Sequence, residues 1–248
     1  MMPFYFTFNS KKYILDIRRY KEMTTFYILL AVAICAFFVF TITWSRERPL
    51  LSFMLKGIAT ISVITLGVYT AINVGPGTIG ILLIAGLAFC MLGDLVLALL
   101  EIFDETKREN VIKSGETAFA LAQVVFIALL ALIDTMTLFG LIAGVVIAGV
   151  IYLVRKPMKL DFGTTTIPTL LYSALLGANV VGSIILCITS GFAISTILLA
   201  LGFIFFIISD LILSKIYFGG VRSPIVQKIN LFVYYVAITL IASCFIAL

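Results

Sequence analysis

The stretch TIGILLIAGLAFCMLGDLVLALL, residues 78–100, decides the fold. It has the length that a helix needs to cross the hydrocarbon core of a bilayer, about 20 residues, and its one charged side chain is Asp94. A carboxylate near the centre of a membrane helix costs about 2.5–3.5 kcal/mol, so such a residue faces protein rather than lipid and usually marks a site. A second stretch, FIFFIISDLILSKI at 203–216, places Asp210 in the same kind of setting.

Working outward, the rest of the chain has the same character. Of its 248 residues 62% are hydrophobic and 12% charged, with a mean hydropathy of +1.22, whereas a soluble domain carries roughly 25% charged residues. The chain is an integral, multi-pass membrane protein. About eight spans are predicted, at 25–44, 51–72, 78–100, 114–133, 135–154, 166–189, 192–214 and 225–247. Lipid offers the backbone no hydrogen-bond partners, and the spans lack the alternation of a barrel strand, so they read as helices. The expected fold is all-α, one bundle over residues 25–248. It is preceded by a basic tail, 1–24, in which Lys11, Lys12, Arg18, Arg19 and Lys21 accompany Tyr13, Ile14, Ile17 and Tyr20 at helical spacing. That pattern suits a segment lying on anionic lipid. The apolar run after the tail is full-length and lacks a convincing cleavage site, so it reads as a retained first helix rather than a signal peptide.

Composition narrows the chemistry. Histidine is absent, and Cys35, Cys90, Cys187 and Cys244 fall one each in four spans, so neither a metal site nor a cofactor is expected. The net charge of +5 comes from residues at helix ends, which points to phospholipid headgroups and away from nucleic acid. Any reaction has to come from carboxylates, lysine, tyrosine or hydroxyls.

Lys and Arg alternate with the connections. Arg46 and Arg48, then Lys107, Arg108 and Lys113, then Arg155, Lys156 and Lys159, then Lys215, Arg222 and Lys228 fall at every second connection. The positive-inside rule puts that face in the cytoplasm and both termini opposite, although the basic tail argues the other way. At 1.5 Å per residue, Asp94 and Asp210 lie roughly 6–9 Å below the basic face. Lys56, Glu116, Gln123, Tyr172, Asn179, Tyr234 and Tyr235 fall at comparable depths, forming a polar belt open towards the basic loops.

LAFCMLGDLVLALL, ending at Leu100, also resembles FIFFIISDLILSKI at an offset of 116 residues, and FALAQVVF from Phe119 matches YYVAITLI from Tyr234 at 115. The matched helices are four apart and run parallel. This suggests a four-plus-four internal repeat about an axis along the membrane normal, with Asp94 and Asp210 as symmetry mates.

With these residues assembled, the chain resembles the YhhN-like family of multi-pass membrane proteins, which includes the lysoplasmalogenases. The pieces are LKGIAT at 55–60, LGDLVLAL at 92–99, GETAFALAQVVF at 115–126, PTLLYSALLGAN at 168–179, IISDLIL at 207–213 and YYVAITLIA at 234–242. The resemblance implies an eight-helix bundle that hydrolyses the vinyl-ether bond of a lysoplasmalogen to a fatty aldehyde and a glycerophospho-alcohol. It implies that Asp94 and Asp210 carry the chemistry; Lys56, Gln123, Tyr172 and Tyr235, from the polar belt around them, are the expected substrate contacts. Gly57, Gln123, Phe126 and Ile238 stand where the family commonly has proline, histidine, tyrosine and glutamine.

A vinyl ether is cleaved by protonation of its β-carbon, which leaves an oxocarbenium ion for water to attack. One carboxyl acts as acid and the other stays ionised to face the cation. Depth favours Asp94 as acid and Asp210 as carboxylate; a Lys56–Asp94 pair would exchange the roles. Lys56 is equally suited to the substrate phosphate. Two other readings remain, a cation-coupled transporter and a catalytically inactive lipid-binding protein. The partners expected are a lysophospholipid or ether-lipid substrate and membrane lipid, with headgroup preference and oligomeric state open.

Overall fold

The computed structural model describes the backbone of residues 5–74, 77–102 and 105–247 and the side chains of 20–73, 77–102 and 106–245. Expectations for the tail that rest on Lys11, Lys12, Tyr13, Ile14, Ile17, Arg18 and Arg19 lie outside the described side chains. The chain is 88% helical, with no strand among the described residues. Its helices are α1 (Tyr5–Thr43), α2 (Pro49–Val74), α3 (Thr78–Ala98), α4 (Arg108–Ile133), α5 (Gly140–Val154), α6 (Thr166–Thr189), α7 (Ile194–Tyr217) and α8 (Pro224–Ser243). Eight are long and apolar enough to cross a membrane, so the all-α polytopic bundle read from the sequence is the observed one.

Where boundaries differ from those expected, local chemistry explains the shift. α4 begins at Arg108, six residues before the predicted span, and its exposed first turns carry an i,i+4 ion pair between Lys113 and Glu109 at 2.6 Å that supports them. The fifth span opens as a 3₁₀ turn, Thr135–Phe139, before α5 takes over. Asp134 caps that turn by accepting from the Met136 amide at 2.9 Å. α1 is continuous from Tyr5, so the tail and the first span share one helix.

Six helices close a ring in the order α2, α3, α4, α6, α7, α8, each packing on the next and α8 returning to α2. α1 packs outside the ring on α2 and α8, and α5 packs outside it on α6. A shift of four helices carries this ring onto itself, the α2–α8 contact becoming α6–α4, as a four-plus-four repeat requires.

Inside the ring, small residues of one helix seat aromatic rings of its neighbour. A Cβ added at Gly86 would stand 2.3 Å from the Phe126 ring, and one at Gly93 2.6 Å from the Phe119 ring. Phe119, Phe206, Tyr234 and Tyr235 continue as an edge-to-face chain with centroids 5.4–6.1 Å apart. Such fit matters more here than in water, since lipid removes most of the hydrophobic drive between helices and leaves packing to hold them. α5 shows the limit. Its Ile142, Val145 and Val146 are each at least 60% exposed, so it meets the bundle on one narrow face.

Candidate active site

α3 and α7 stand opposite one another in the ring, and each presents its aspartate inward. The residue before each aspartate docks its helix on the next. Gly93 lets the Phe119 ring of α4 approach. Ser209 takes the corresponding place on α7, where Asn230 of α8 donates to its carbonyl oxygen at 2.6 Å and its hydroxyl at 3.0 Å. With that face of the helix committed, the next residue is turned about 100° away, towards the preceding helix of its own half.

Each aspartate therefore meets a partner on that preceding helix. Lys56 Nζ of α2 lies 3.1 Å from Asp94 Oδ1, both side chains almost sealed at 11% and 5% exposure. Tyr172 of α6 donates its phenolic proton to Asp210 Oδ2. The intervals 56 to 172 and 94 to 210 are both 116 residues, so ion pair and hydrogen bond occupy equivalent places in the two halves. The sequence comparison found the second interval and overlooked the first, because lysine and tyrosine share no residue-type similarity.

Around Asp94 the network is closed. Thr60 Oγ1 sits 3.3 Å from Asp94 Oδ2, 2.8 Å from the Tyr235 hydroxyl and 3.0 Å from the Lys56 carbonyl oxygen, and its single proton serves one of the three. Tyr235 donates to the same carbonyl at 3.3 Å. The Tyr234 hydroxyl is buried, near Asp94, without a hydrogen bond of ordinary geometry.

Asp210 is open where Asp94 is sealed. With Glu116, Thr169 and Tyr172 it lines a cavity whose remaining walls are mostly apolar, among them Ile151, Leu176 and Leu211, with Ser173 and Ser214 also present. About 90 Å³ of it is open to water-sized molecules. It lies between α5 and α7 over α6, and Leu211 at its edge is 44% exposed, so it opens sideways into the bilayer. Thr169 donates to Glu116 Oε1 at 2.8 Å, while Glu116 Oε2 is buried with no hydrogen-bond partner among the described residues. Glu116 belongs to the polar belt of the sequence, but nothing there assigned it a role. Its position opposite Asp210 depends on α4 and α6 meeting, which no local signal reports.

Of the remaining expected site residues, Tyr235 lies in the sealed Asp94 network. Gln123 is fully buried and accepts from Asn179 Nδ2 at 2.9 Å through both its side-chain and backbone oxygens; it is not among the residues lining the cavity. No group of three or more Cys, Asp or Glu suited to a metal ion occurs among the described residues.

The arrangement offers two carboxyls in an apolar cavity open to lipid and a third, charge-paired carboxylate behind it. That is a setting for proton transfer to an apolar, membrane-dissolved molecule. A family model described as the YhhN family matches residues 51–245, from the start of α2 to the end of α8. No curated protein and no solved structure matches the chain.

Proposed function

The chain belongs to the YhhN family, and from this premise and its cavity we propose that it hydrolyses the vinyl-ether bond of lysoplasmalogens within the membrane. The observation that carries the reading is the Asp210–Tyr172 pair facing Glu116 in an apolar, laterally open cavity. Those mostly apolar walls suit an alkenyl chain lying along them, and a vinyl-ether bond near Asp210 then lies beside carboxyls.

The roles follow from the partners. Lys56 holds Asp94 as its counter-ion, so the roles that depth alone suggests are exchanged. Among the described residues, Asp210 is bonded to a phenol and to no cation. With one oxygen occupied by Tyr172, its other oxygen delivers a proton to the β-carbon, and the C–O side becomes an oxocarbenium ion. Water adds to that ion, and its surplus proton passes to a carboxylate, for which Glu116 Oε2 is free. The hemiacetal then collapses to aldehyde and glycerophospho-alcohol, its hydroxyl proton passing to the leaving oxygen, and transfer of the captured proton from Glu116 to Asp210 restores the acid. Asp94, without access to the cavity, contributes as a fixed negative charge on the opposite helix and is a positioning residue.

The inactive lipid-binding alternative rests on Gln123 and Ile238, which stand where the family commonly has histidine and glutamine. Gln123 bonds to Asn179 outside the cavity lining, which weakens that case. The test is aldehyde release from lysoplasmenyl-ethanolamine by purified protein. Asp210→Asn should lower turnover by roughly 10²–10⁴-fold, the usual contribution of a general acid. Undiminished turnover in that variant removes Asp210 from the reaction. Saturable uptake or binding with no aldehyde from the wild type moves the function to transport or lipid sensing.

A further inference from the structure

Hydrolysis consumes water, and the cavity's sideways mouth opens on hydrocarbon, which holds almost none. The water therefore needs another entrance. Leu97 of α3 and Tyr217, the last residue of α7, line the cavity and also a small chamber on the side of α2 and α8. Leu97 lies about one turn past Asp94 and Tyr217 about two turns past Asp210, so the pair stands between the acids and the basic face. Behind it the lining changes. Ser52, Lys56, Glu101 and Gln227 bring a hydroxyl, an ammonium, a carboxylate and an amide to the chamber wall.

About 20 Å³ of the chamber is open to a water-sized molecule. That is room for one water, which takes about 10–15 Å³ and two or more polar partners. The Lys56 ammonium has three protons, of which Asp94 Oδ1 takes one. Outward, the chamber shares Trp44, Glu101 and Gln227 with a recess at the basic face, where Arg46 and Arg222 are exposed. It thus has a wet side and, across Leu97 and Tyr217, a dry one. Leu97 also fixes where a molecule crossing that partition arrives. A Cβ added at Gly115 would stand 2.4 Å from the Leu97 side chain, so that side chain lies across α4 one residue before Glu116. Glu116 Oε2 is the acceptor with no hydrogen-bond partner among the described residues.

We propose that the hydrolytic water reaches the cavity from this chamber, between Leu97 and Tyr217, and that these two side chains admit water while excluding larger nucleophiles. The proposal rests on the hydrolase reading. It gives the cavity two entrances: lipid comes through the bilayer and water from the basic face, and they meet at Asp210 and Glu116.

Methanol tests the entrance, because it is one methylene larger than water and enters hydrocarbon more readily. It takes water's place in the reaction: Asp210 protonates the β-carbon, the methanol oxygen bonds to the α-carbon, and the methanol proton passes to Glu116 and on to Asp210. The product is a mixed acetal instead of aldehyde and alcohol. Full-length protein in vesicles is given lysoplasmenyl-ethanolamine in buffer containing methanol, and acid hydrolysis of the free lipid in the same mixture supplies the reference share of acetal. The wild type should form acetal at roughly a tenth of that share or less, the discrimination a close passage makes against one methylene. Leu97→Ala should raise it roughly tenfold. Acetal at the reference share from the wild type, or a share that Leu97→Ala leaves unchanged, overturns the proposal. A second variant makes the test independent of how Leu97→Ala folds. Ala98 lines the chamber but neither the cavity nor the recess, so Ala98→Val fills the chamber alone and should lower kcat with KM unchanged. It should also move the emission of Trp44, the chain's one tryptophan and part of the chamber wall, to shorter wavelength as water leaves the indole. An unmoved emission maximum overturns the proposal without any turnover being needed. A wild type that releases no aldehyde sinks the hydrolase reading itself, whereas aldehyde with acetal at the reference share removes only the entrance.

Discussion

At the scale of single residues, the two halves carry the same aspartate with different partners, and the partners set what each does. The Lys56–Asp94 pair is nearly sealed, so removing one member strands a buried charge. Lys56→Met should lose about 3–5 kcal/mol of stability, and Lys56→Met with Asp94→Asn should recover most of it. Equal denaturation midpoints for the single and double variants would show that the pair is not what holds Lys56. Asp94→Asn alone has the same defect, which makes Asp210→Asn the cleaner probe of chemistry. Tyr172→Phe removes one hydrogen bond to Asp210, so turnover should fall roughly tenfold to a hundredfold with KM unchanged. A rise in KM alone would make Tyr172 a binding residue. Both aspartates were legible in the sequence because a carboxylate stands out in an apolar run. The contrast between them was not, since which neighbour reaches each one depends on packing between helices.

At the scale of elements, spans were easy to read and their attachments were not. Hydropathy marks α5 as firmly as any other helix, yet says nothing of how narrowly it is held. A Cβ at Gly144 would stand 2.1 Å from the Ala174 carbonyl oxygen, and one at Gly140 2.4 Å from that of Ala178. α5 thus rests backbone to backbone on α6, as small residues four apart permit. Gly144→Leu should lever α5 away, remove the Ile151 and Val154 side of the cavity, and lower both melting temperature and activity. Gly149→Ala meets nothing within 4 Å and should leave both unchanged; equal effects at the two positions would refute close approach as the cause. The turn before α5 supplies a pH test. The Thr189 hydroxyl at 2.7 Å and the Met136 amide at 2.9 Å both favour charged Asp134 and hold its carboxyl below its ordinary value. That stabilisation is complete above the ordinary carboxylate range and is lost as pH falls through the lowered value. The melting gap between wild type and Asp134→Asn should therefore be open at about pH 7 and narrow progressively as pH falls below about 4; a gap independent of pH would assign the effect to something other than this charge.

At the scale of the whole molecule, the ring repeats itself after four helices, but the outer helices α1 and α5 pack on their halves differently. In the first half Trp44 of the α1–α2 connection bonds to Glu101, and Phe37 and Phe40 pack on Tyr235. In the second half α5 leaves the space over α6 open, and the cavity results. The sequence displayed the symmetry through its two aspartate stretches; the asymmetry lies in the flanking helices α1 and α5, where no motif marks it. The sideways mouth at Leu211 has a kinetic consequence. A ligand entering there arrives by lateral diffusion, so the quantity that governs encounter is its mole fraction in the membrane plane, and its concentration in water has no direct influence. Turnover in vesicles should then fall in proportion as inert diacyl lipid is added at fixed total substrate, and stay constant when the suspension is diluted with buffer.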